Sequence, residues 1–298
     1  MIKAALIQFE PQRLDPALNL RRMAEFIEAE GPAADLIVFP ELANTGYVEP
    51  VAAGGPITAD VSDYGTALWQ ACADLDGEEI AAFMQQAARL DTYLVLGLGI
   101  RDLRLRGVMR NASVLIGPQG LIGVYVKIHQ WHNEKLYFTK GERIDTWPGP
   151  RCRLGMQICY DIRFPEITRI LAQQGADVVT NIWASSGPDG RAPADEGLFI
   201  HRAYTRAIEN GVFFLSCNRV GIQAGHRFYG RSCALAPDGR VLGALAHDRE
   251  DVLRVEIDLD AVARYRAYTG IWADRDPALY ARYLEAASGV PVIAPNAE

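Results

Sequence analysis

Short apolar runs of strand length alternate with segments of helical period along most of this chain, and that alternation is the strongest constraint on its fold. Residues 2–9 read as a buried strand. Asp15 and Pro16 then mark a helix start, an N-cap followed by proline at the first helical position. Leu20, Met23, Ala24 and Ile27 fall at i, i+3, i+4 and i+7, one apolar face suited to covering a sheet. Residues 36–39 form the next strand, which ends at Pro40-Glu41. The stretch 44–65, rich in Gly, Pro and Ala, reads as a long loop that walls a site, because structureless loops of that length are uncommon in compact domains unless they serve a function. Ile80, Phe83, Met84 and Ala87 repeat the helical spacing, and 92–100 returns to strand.

Gly117-Pro118-Gln119-Gly120 separates two further apolar runs and predicts a hairpin, as does Pro237-Asp238-Gly239. The second half repeats the rhythm of the first, with strands at 154–158, 178–183 and 212–217 and helical segments near 165–175 and 195–210. Alternation interrupted by hairpins predicts an α/β fold built on a mixed sheet, or on two packed sheets, with helices outside. From Tyr268 the pattern weakens into Asp- and Pro-containing pieces and an Ala/Pro tail. Residues 1–267 are therefore expected to form one domain, and 268–298 an extension that packs on it or makes an oligomer contact.

A net charge of -7 and a pI near 5.4 argue against a nucleic-acid partner, which would need a concentrated basic surface. The one basic cluster, Arg101, Arg104, Arg106 and Arg110, reads as a solvated loop, with an anion site as the sharper alternative. The first residues lack the features of a secretory signal, and no apolar run reaches the length of a membrane helix. A cytoplasmic compartment and no membrane partner are expected. The five cysteines, Cys72, Cys152, Cys159, Cys217 and Cys233, are widely spaced and include no C-x-x-C pair, which predicts neither a disulfide framework nor a zinc site. Gly97-x-Gly99 lacks the third glycine and the helix start of a dinucleotide fingerprint, and Asn111-Ala112-Ser113 is a chance match to a glycosylation pattern. His129 and His132 have no third ligand at a recognised spacing, while Glu78-Glu79 and the acids of 248–251 read as solvated charge. No metal and no organic cofactor is expected.

Three segments place a reactive side chain at a strand end, where α/β folds open a cleft. They are Phe39-Pro40-Glu41-Leu42, Tyr125-Val126-Lys127-Ile128-His129 and Ile158-Cys159-Tyr160-Asp161-Ile162-Arg163-Phe164-Pro165-Glu166. Singly, each has a bland reading: a solvated glutamate, a surface lysine, an inert core cysteine. Together, in this order and with separations of 86 residues from Glu41 to Lys127 and 32 from Lys127 to Cys159, they resemble the nitrilase superfamily of carbon-nitrogen hydrolases. The resemblance runs from Lys3 to about Asp260 and includes Arg206-Ala207-Ile208-Glu209-Asn210 and Gly230-Arg231-Ser232. It implies the family's αββα four-layer sandwich, usually assembled as a homodimer or a larger stack, and a catalytic triad of Glu41, Lys127 and Cys159. It also matches Glu134 to a second family glutamate that positions substrate and lysine; read from the residues alone, Glu134 could instead pair with Lys135.

The chemistry follows from the residue types. A free thiol is only a few per cent thiolate at neutral pH, so Cys159 needs a base. Glu41 would take the thiol proton during attack and return it to the leaving amine. Lys127 would supply positive charge where the carbonyl oxygen becomes an oxyanion, joined by the backbone N–H of Tyr160. Water activated by Glu41 would then hydrolyse the thioester. Tyr160, Arg163 and Trp183 are the candidate substrate-binding residues. Tyr160-Asp161 after the cysteine, where nitrilases place Trp-Glu, is similar to the amidase and omega-amidase branches and implies a small-molecule amide as substrate. Arg163 is placed like an arginine that reads a substrate carboxylate, or else it braces the turn by pairing with Glu166 or another nearby acid. His129-Gln130-Trp131-His132 departs from the family's commoner Lys-x-His-Leu-Phe, and 181–191 departs from its proline-rich turn. N-carbamoyl hydrolysis is the alternative within the class, followed by nitrile hydrolysis; a non-catalytic binding protein is the alternative outside it.

Overall fold

The computed structural model describes residues 1–48, 59–188 and 197–288. In chain order the elements are β1 (Ile2–Gln8), α1 (Pro16–Glu30), β2 (Leu36–Val38), α2 (Ala59–Ala71), α3 (Glu78–Leu90), β3 (Tyr93–Arg101), β4 (Met109–Gly117), β5 (Gly120–Val126), α4 (Glu134–Tyr137), β6 (Thr146–Pro148) and β7 (Arg153–Ile158). A single 3₁₀ turn (Cys159–Arg163) leads to α5 (Pro165–Gln173), β8 (Val178–Trp183), β9 (Ser186–Pro188), α6 (Leu198–Asn210), β10 (Phe213–Asn218), β11 (Val220–Gln223), β12 (His226–Tyr229), β13 (Cys233–Leu235), β14 (Val241–Ala244), β15 (Asp251–Ile257), α7 (Asp260–Thr269) and α8 (Pro277–Ser288).

The local signals act as their chemistry dictates. Asp15 accepts the Leu18 N–H at 3.0 Å and caps α1, satisfying one of the amides a helix start leaves without a partner. Met23 and Ile27 are buried, with Leu20 and Ala24 packed beside them. The Gly117–Gly120 segment is a tight hairpin: β4 and β5 run antiparallel and close on the pair Gly117 and Gly120.

Among the described residues the strands form two six-stranded sheets and one of three strands. The first sheet has the order β15-β1-β2-β3-β4-β5, with β1, β2 and β3 parallel and the outer strands antiparallel. The second has the order β14-β13-β10-β8-β7-β6, with β7, β8 and β10 parallel. The repeated rhythm of the two halves is thus a repeated sheet. The inner faces meet over a core that includes Leu6, Val38 and Val95 from one sheet and Met156, Ile182 and Leu215 from the other. α1 and α3 cover the first sheet outside, and α5 and α6 cover the second. The result is the αββα four-layer sandwich. The carboxyl ends of β2, β7 and β8 meet at one edge of the interface, where Glu41 N–H donates to Trp183 O at 3.3 Å.

Four expectations need correction or completion. The last part of the predicted 44–65 loop is helix: α2 starts at Ala59 and buries Leu68 and Ala71, while 49–58 lie outside the described residues. The basic cluster is not simply solvated, because Arg101 pairs with Asp74 at 2.6 Å and Arg110 with Asp102 at 3.0 Å. The acids of 248–251 are likewise engaged, Asp248 with Arg227, Glu250 with Arg22 and Asp251 with His247. Beyond 268 the chain forms α8, and 289–298 lie outside the described residues. No helix among the described residues is long and apolar enough to cross a membrane.

Candidate active site

Glu41 enters the site on a turn that must pass close over the first sheet. Gly97 of β3 makes room: a β-carbon there would stand 2.1 Å from the Pro40 carbonyl oxygen. Asn44 fixes the same turn, taking the Gly99 N–H at 2.8 Å and donating to Gly99 O at 2.9 Å. Gly97 of Gly97-x-Gly99 thus serves a close backbone approach, and a β-carbon at Gly99 would crowd the side chains of Thr45 and Cys72, which explains both glycines without a nucleotide.

Lys127 extends β5 by one residue, and its ammonium sits between two carboxylates. Nζ lies 2.6 Å from Glu41 Oε1 and 2.7 Å from the carboxylate of Glu134, the first residue of α4. All three side chains are fully buried. Burial alone would lower the ammonium's pKa, but Glu134 and then Glu41 outweigh it and hold Lys127 above the usual amine range. Burial pushes Glu134 up to about 7 against the pull of Lys127, with the charge of Glu41 adding to the rise. The Glu134–Lys135 pairing left open by the sequence is not what forms: Glu134 is turned inward on Lys127.

Glu41 is held at one oxygen only. Oε1 accepts from Lys127 and from Asn111 Nδ2 at 2.7 Å, while Oε2 is buried with no protein hydrogen-bond partner. Cys159 follows β7 with φ 48°, the left-handed region that a non-glycine residue occupies under strain. The turn is tied down by Asp161, which accepts from Ile158 N at 3.1 Å, Tyr125 Oη at 2.8 Å and His129 N at 2.9 Å. His129 Nδ1 also lies 2.9 Å from Asp161, with its ring stacked on Phe164. Burial and then the charge of Glu41 push the Cys159 thiol well above the ordinary cysteine value, against the pull of Lys127 and of a hydrogen bond from the Ala184 backbone. The thiol is therefore protonated at rest.

Cys159 opens into a cavity of about 240 Å³ that it lines with Tyr47, Tyr160, Arg163, Trp183 and Arg202, among others. All three predicted substrate-binding residues reach this cavity. Trp183 also belongs to the core, where its Nε1 donates to Ser216 at 2.6 Å and its ring meets Phe199 edge-on. Arg163 is not paired with Glu166; it lies over the rings of Trp131 and Tyr160. His129 and His132 hold no ligand set, and among the described residues no group of three or more His, Cys, Asp or Glu side chains is placed to hold a metal.

Sequence reasoning missed Tyr47, Asn111, Gln223 and Arg202. Tyr47 Oη donates to Glu134 at 2.5 Å, and burial together with the two glutamates keeps its phenol protonated. Gln223 grips the Tyr47 backbone at both ends, at 2.5 and 3.1 Å, and Arg219 holds Gln223 at 3.0 Å. Arg219 is itself wholly buried over Phe228, and that burial pulls its guanidinium down to about 9. Asn111 was visible only as a glycosylation pattern, and no local signal marks it as the partner of a carboxylate 70 residues away.

Fold and site together define the class: a four-layer α/β sandwich with a buried carboxylate–ammonium–carboxylate cluster and a strained cysteine at the carboxyl ends of its parallel strands. A model of the carbon-nitrogen hydrolase family matches residues 3–267, and the chain belongs to that family. It is similar to an (R)-stereoselective amidase of a Pseudomonas species, at 35% identity over 89% of this chain and 88% of the relative. It is also similar to a nitrilase of Pyrococcus abyssi, at 32% identity over 95% of this chain and 100% of the relative. The fold is shared with a carbon-nitrogen hydrolase from Helicobacter pylori, with a TM-score of 0.78, 24% identity and coverage of 95% of this chain and 98% of that one. The protein is an enzyme that hydrolyses carbon–nitrogen bonds other than peptide bonds.

Proposed function

We propose that the enzyme hydrolyses a small-molecule amide to a carboxylic acid and ammonia through a thioester on Cys159. The observation that carries this reading is the asymmetry of Glu41: one oxygen is fixed by Lys127 and Asn111, and the other is a buried acceptor without a protein partner. A protonated thiol needs such an acceptor, because attack and proton transfer must then occur together. The proton moves from Cys159 Sγ to Glu41 as sulfur adds to the carbonyl carbon. The oxyanion that forms takes its compensation from the Lys127 ammonium and the Tyr160 backbone N–H. Glu41 returns the proton to the nitrogen, the C–N bond breaks and ammonia leaves. Water then gives a proton to Glu41 and attacks the thioester, releasing the acid and restoring the thiol. Glu134 holds Lys127 in place, and Tyr47 holds Glu134.

Amides are favoured over nitriles by Tyr160-Asp161 after the nucleophile and by the amidase among the relatives, although a nitrilase is among them too. The test is ammonia release from a panel of amides, N-carbamoyl amino acids and nitriles, with wild type and Cys159→Ala measured together. The expected result is release from amides by the wild type alone. Release that persists in Cys159→Ala would overturn the nucleophile, and release confined to carbamoyl compounds or nitriles would overturn the bond assignment.

A further inference from the structure

The cavity at Cys159 adjoins a larger one that the mechanism does not use. This second cavity, of about 420 Å³, is lined by Tyr47, Trp131, His132, Ser186, His226 and Phe228, among others. Tyr47, Trp131 and Ser186 line both cavities, so the two spaces meet at those residues. The larger one falls within the range of small-molecule sites, roughly 300–1,000 Å³, and the 240 Å³ beside Cys159 falls below it.

The small third sheet supplies one wall of this chamber. His226 and Phe228 are two residues apart on β12 and therefore face the same way, and Ser186 of β9 stands opposite Phe228 in the antiparallel register. Phe228 is held in place, with the Arg219 guanidinium 3.9 Å from its ring centroid and Tyr47 edge-on at 5.9 Å. Trp131 is steadied by Tyr160 at 4.6 Å and Arg163 at 5.4 Å, yet it stays 36% exposed. Covering an indole left that open recovers hydrophobic free energy. Among the described residues no Asp, Glu, Lys or Arg lines the chamber, so it offers no ion pair to a charged group. Its rings suit flat apolar surface, which they can meet face to edge or in offset stacks. Trp131 and Ser186 stand in 129–132 and 181–191, the two stretches where this sequence departs from the commoner family pattern, so the chamber is shaped by residues particular to this chain.

We propose that this chamber is a subsite for an aromatic ring carried on the acyl part of the substrate, which makes Trp131 and Phe228 specificity-determining residues. This rests on the amidase reading above and names the substrate class within it: primary amides whose carbonyl is joined by a short linker to an uncharged aryl group. Because ammonia is the leaving group, only the acyl side extends past Tyr47 and Trp131 into the chamber. A linear amide of a few carbons ends before it and leaves it to water. The ring is buried equally in the bound substrate and in the transition state, so its contribution falls mainly on KM.

The test compares 3-phenylpropanamide with butyramide, and the ratio of their kcat/KM values is taken within each protein. The expected wild-type ratio favours the aryl amide by about tenfold to a hundredfold, the range for taking a phenyl group out of water. His226→Trp, which fills the chamber from β12, should bring the ratio close to one. Trp131→Ala, at a position open to solvent, should lower it by about twofold to tenfold, the worth of an aromatic pair, and keeps the test available if the larger side chain disturbs β12. A wild-type ratio near one, or a ratio that neither variant changes, overturns the proposal. A second readout is free of catalysis: calorimetric binding of the two amides to Cys159→Ala protein. Tighter binding of the aryl amide that is lost when His226→Trp is added supports the subsite, and equal binding of the two overturns it. Ammonia from butyramide with a ratio near one would sink the chamber and leave the amidase reading standing. An aryl amide that binds through the chamber of a wild type releasing ammonia from neither amide would sink the amidase reading and leave the subsite standing.

Discussion

At the scale of single residues, the site depends on how one carboxylate is held. Asn111 Nδ2 and Lys127 Nζ share Glu41 Oε1, and this directs Oε2 away from both. Asn111→Ala removes a hydrogen bond to a charged group, so kcat on the best amide should fall about tenfold to a hundredfold while KM changes little. A KM effect with kcat intact would mean that Asn111 touches substrate rather than orienting Glu41. Glu134 gives a second prediction, on stability against pH. Its native pKa is raised from 4.5 to about 7, chiefly by burial, so the folded chain holds this proton more tightly than the unfolded chain. The stabilising contribution is complete below about pH 4.5 and is lost as pH rises through about 7. Glu134→Gln keeps the shape and does not titrate, so wild type should lose stability relative to the variant across that window in urea midpoints. A constant difference would remove Glu134 as the titrating group. Glu41, Lys127 and Cys159 are legible in the sequence because each stands at a strand end within a short pattern, whereas Glu134, the first residue of α4, is reached only through the family resemblance. Tyr47, Asn111 and Arg202 are not, since their partners are distant in the chain and nothing local distinguishes them from a loop tyrosine, a glycosylation match and a helix-surface arginine.

At the scale of elements, the legible pieces are those whose periodicity is clean. α1, α3, α5 and α6 each place apolar residues on one face, and the parallel strands read as apolar runs because they are covered on both sides. β15 carries a signal that its neighbours hide. Leu253, Val255 and Ile257 alternate inward at period two, yet the acids of 248–251 lead into the strand and read as solvent-facing charge. The sheet of β9, β11 and β12 escaped for the opposite reason: its strands are short and pair mostly by backbone, with Gly221 and Gly187 inside them. α2 was obscured by the Gly- and Pro-rich residues before it. The strand-to-turn passage at β3 shows how one element constrains the site. Gly97→Ala would drive a β-carbon against the Pro40 carbonyl, which belongs to the backbone and cannot rotate away. The expected cost is about 3 kcal/mol in denaturant unfolding, together with a loss of activity as the Glu41 turn is displaced. Full activity in a Gly97→Ala protein of normal stability would show that the turn yields without harm.

At the scale of the whole molecule, the two sheets divide the reactive groups between them. Glu41, Asn111 and Lys127 belong to the first sheet and its turns, and Cys159 and Trp183 to the second. Strand–helix alternation interrupted by hairpins predicts a mixed sheet or two packed sheets with helices outside, because each apolar face must find cover, and the structure has the two packed sheets. The alternation could not say how the sheets register against each other, since that depends on contacts between distant halves of the chain. Asp161 supplies one such contact. It is fully buried and accepts from Ile158 N on the nucleophile side and from Tyr125 Oη on the lysine side. Tyr125 and Lys127 are two residues apart on one strand path, so they share a face, and Tyr125 also fills the core between the sheets. A fully buried carboxylate that loses a donor is costly. Tyr125→Phe should therefore destabilise the fold by about 1–3 kcal/mol, although the ring and its packing remain. Because the same bond fixes the Cys159 turn against the Lys127 strand, kcat should fall with it under conditions where the variant is fully folded. Tyr125→Phe with lowered stability and unaltered kcat would show that Asp161 holds the sheets together without setting the distance between nucleophile and ammonium. Loss of both would show that the register of the sheets and the geometry of the site are one property.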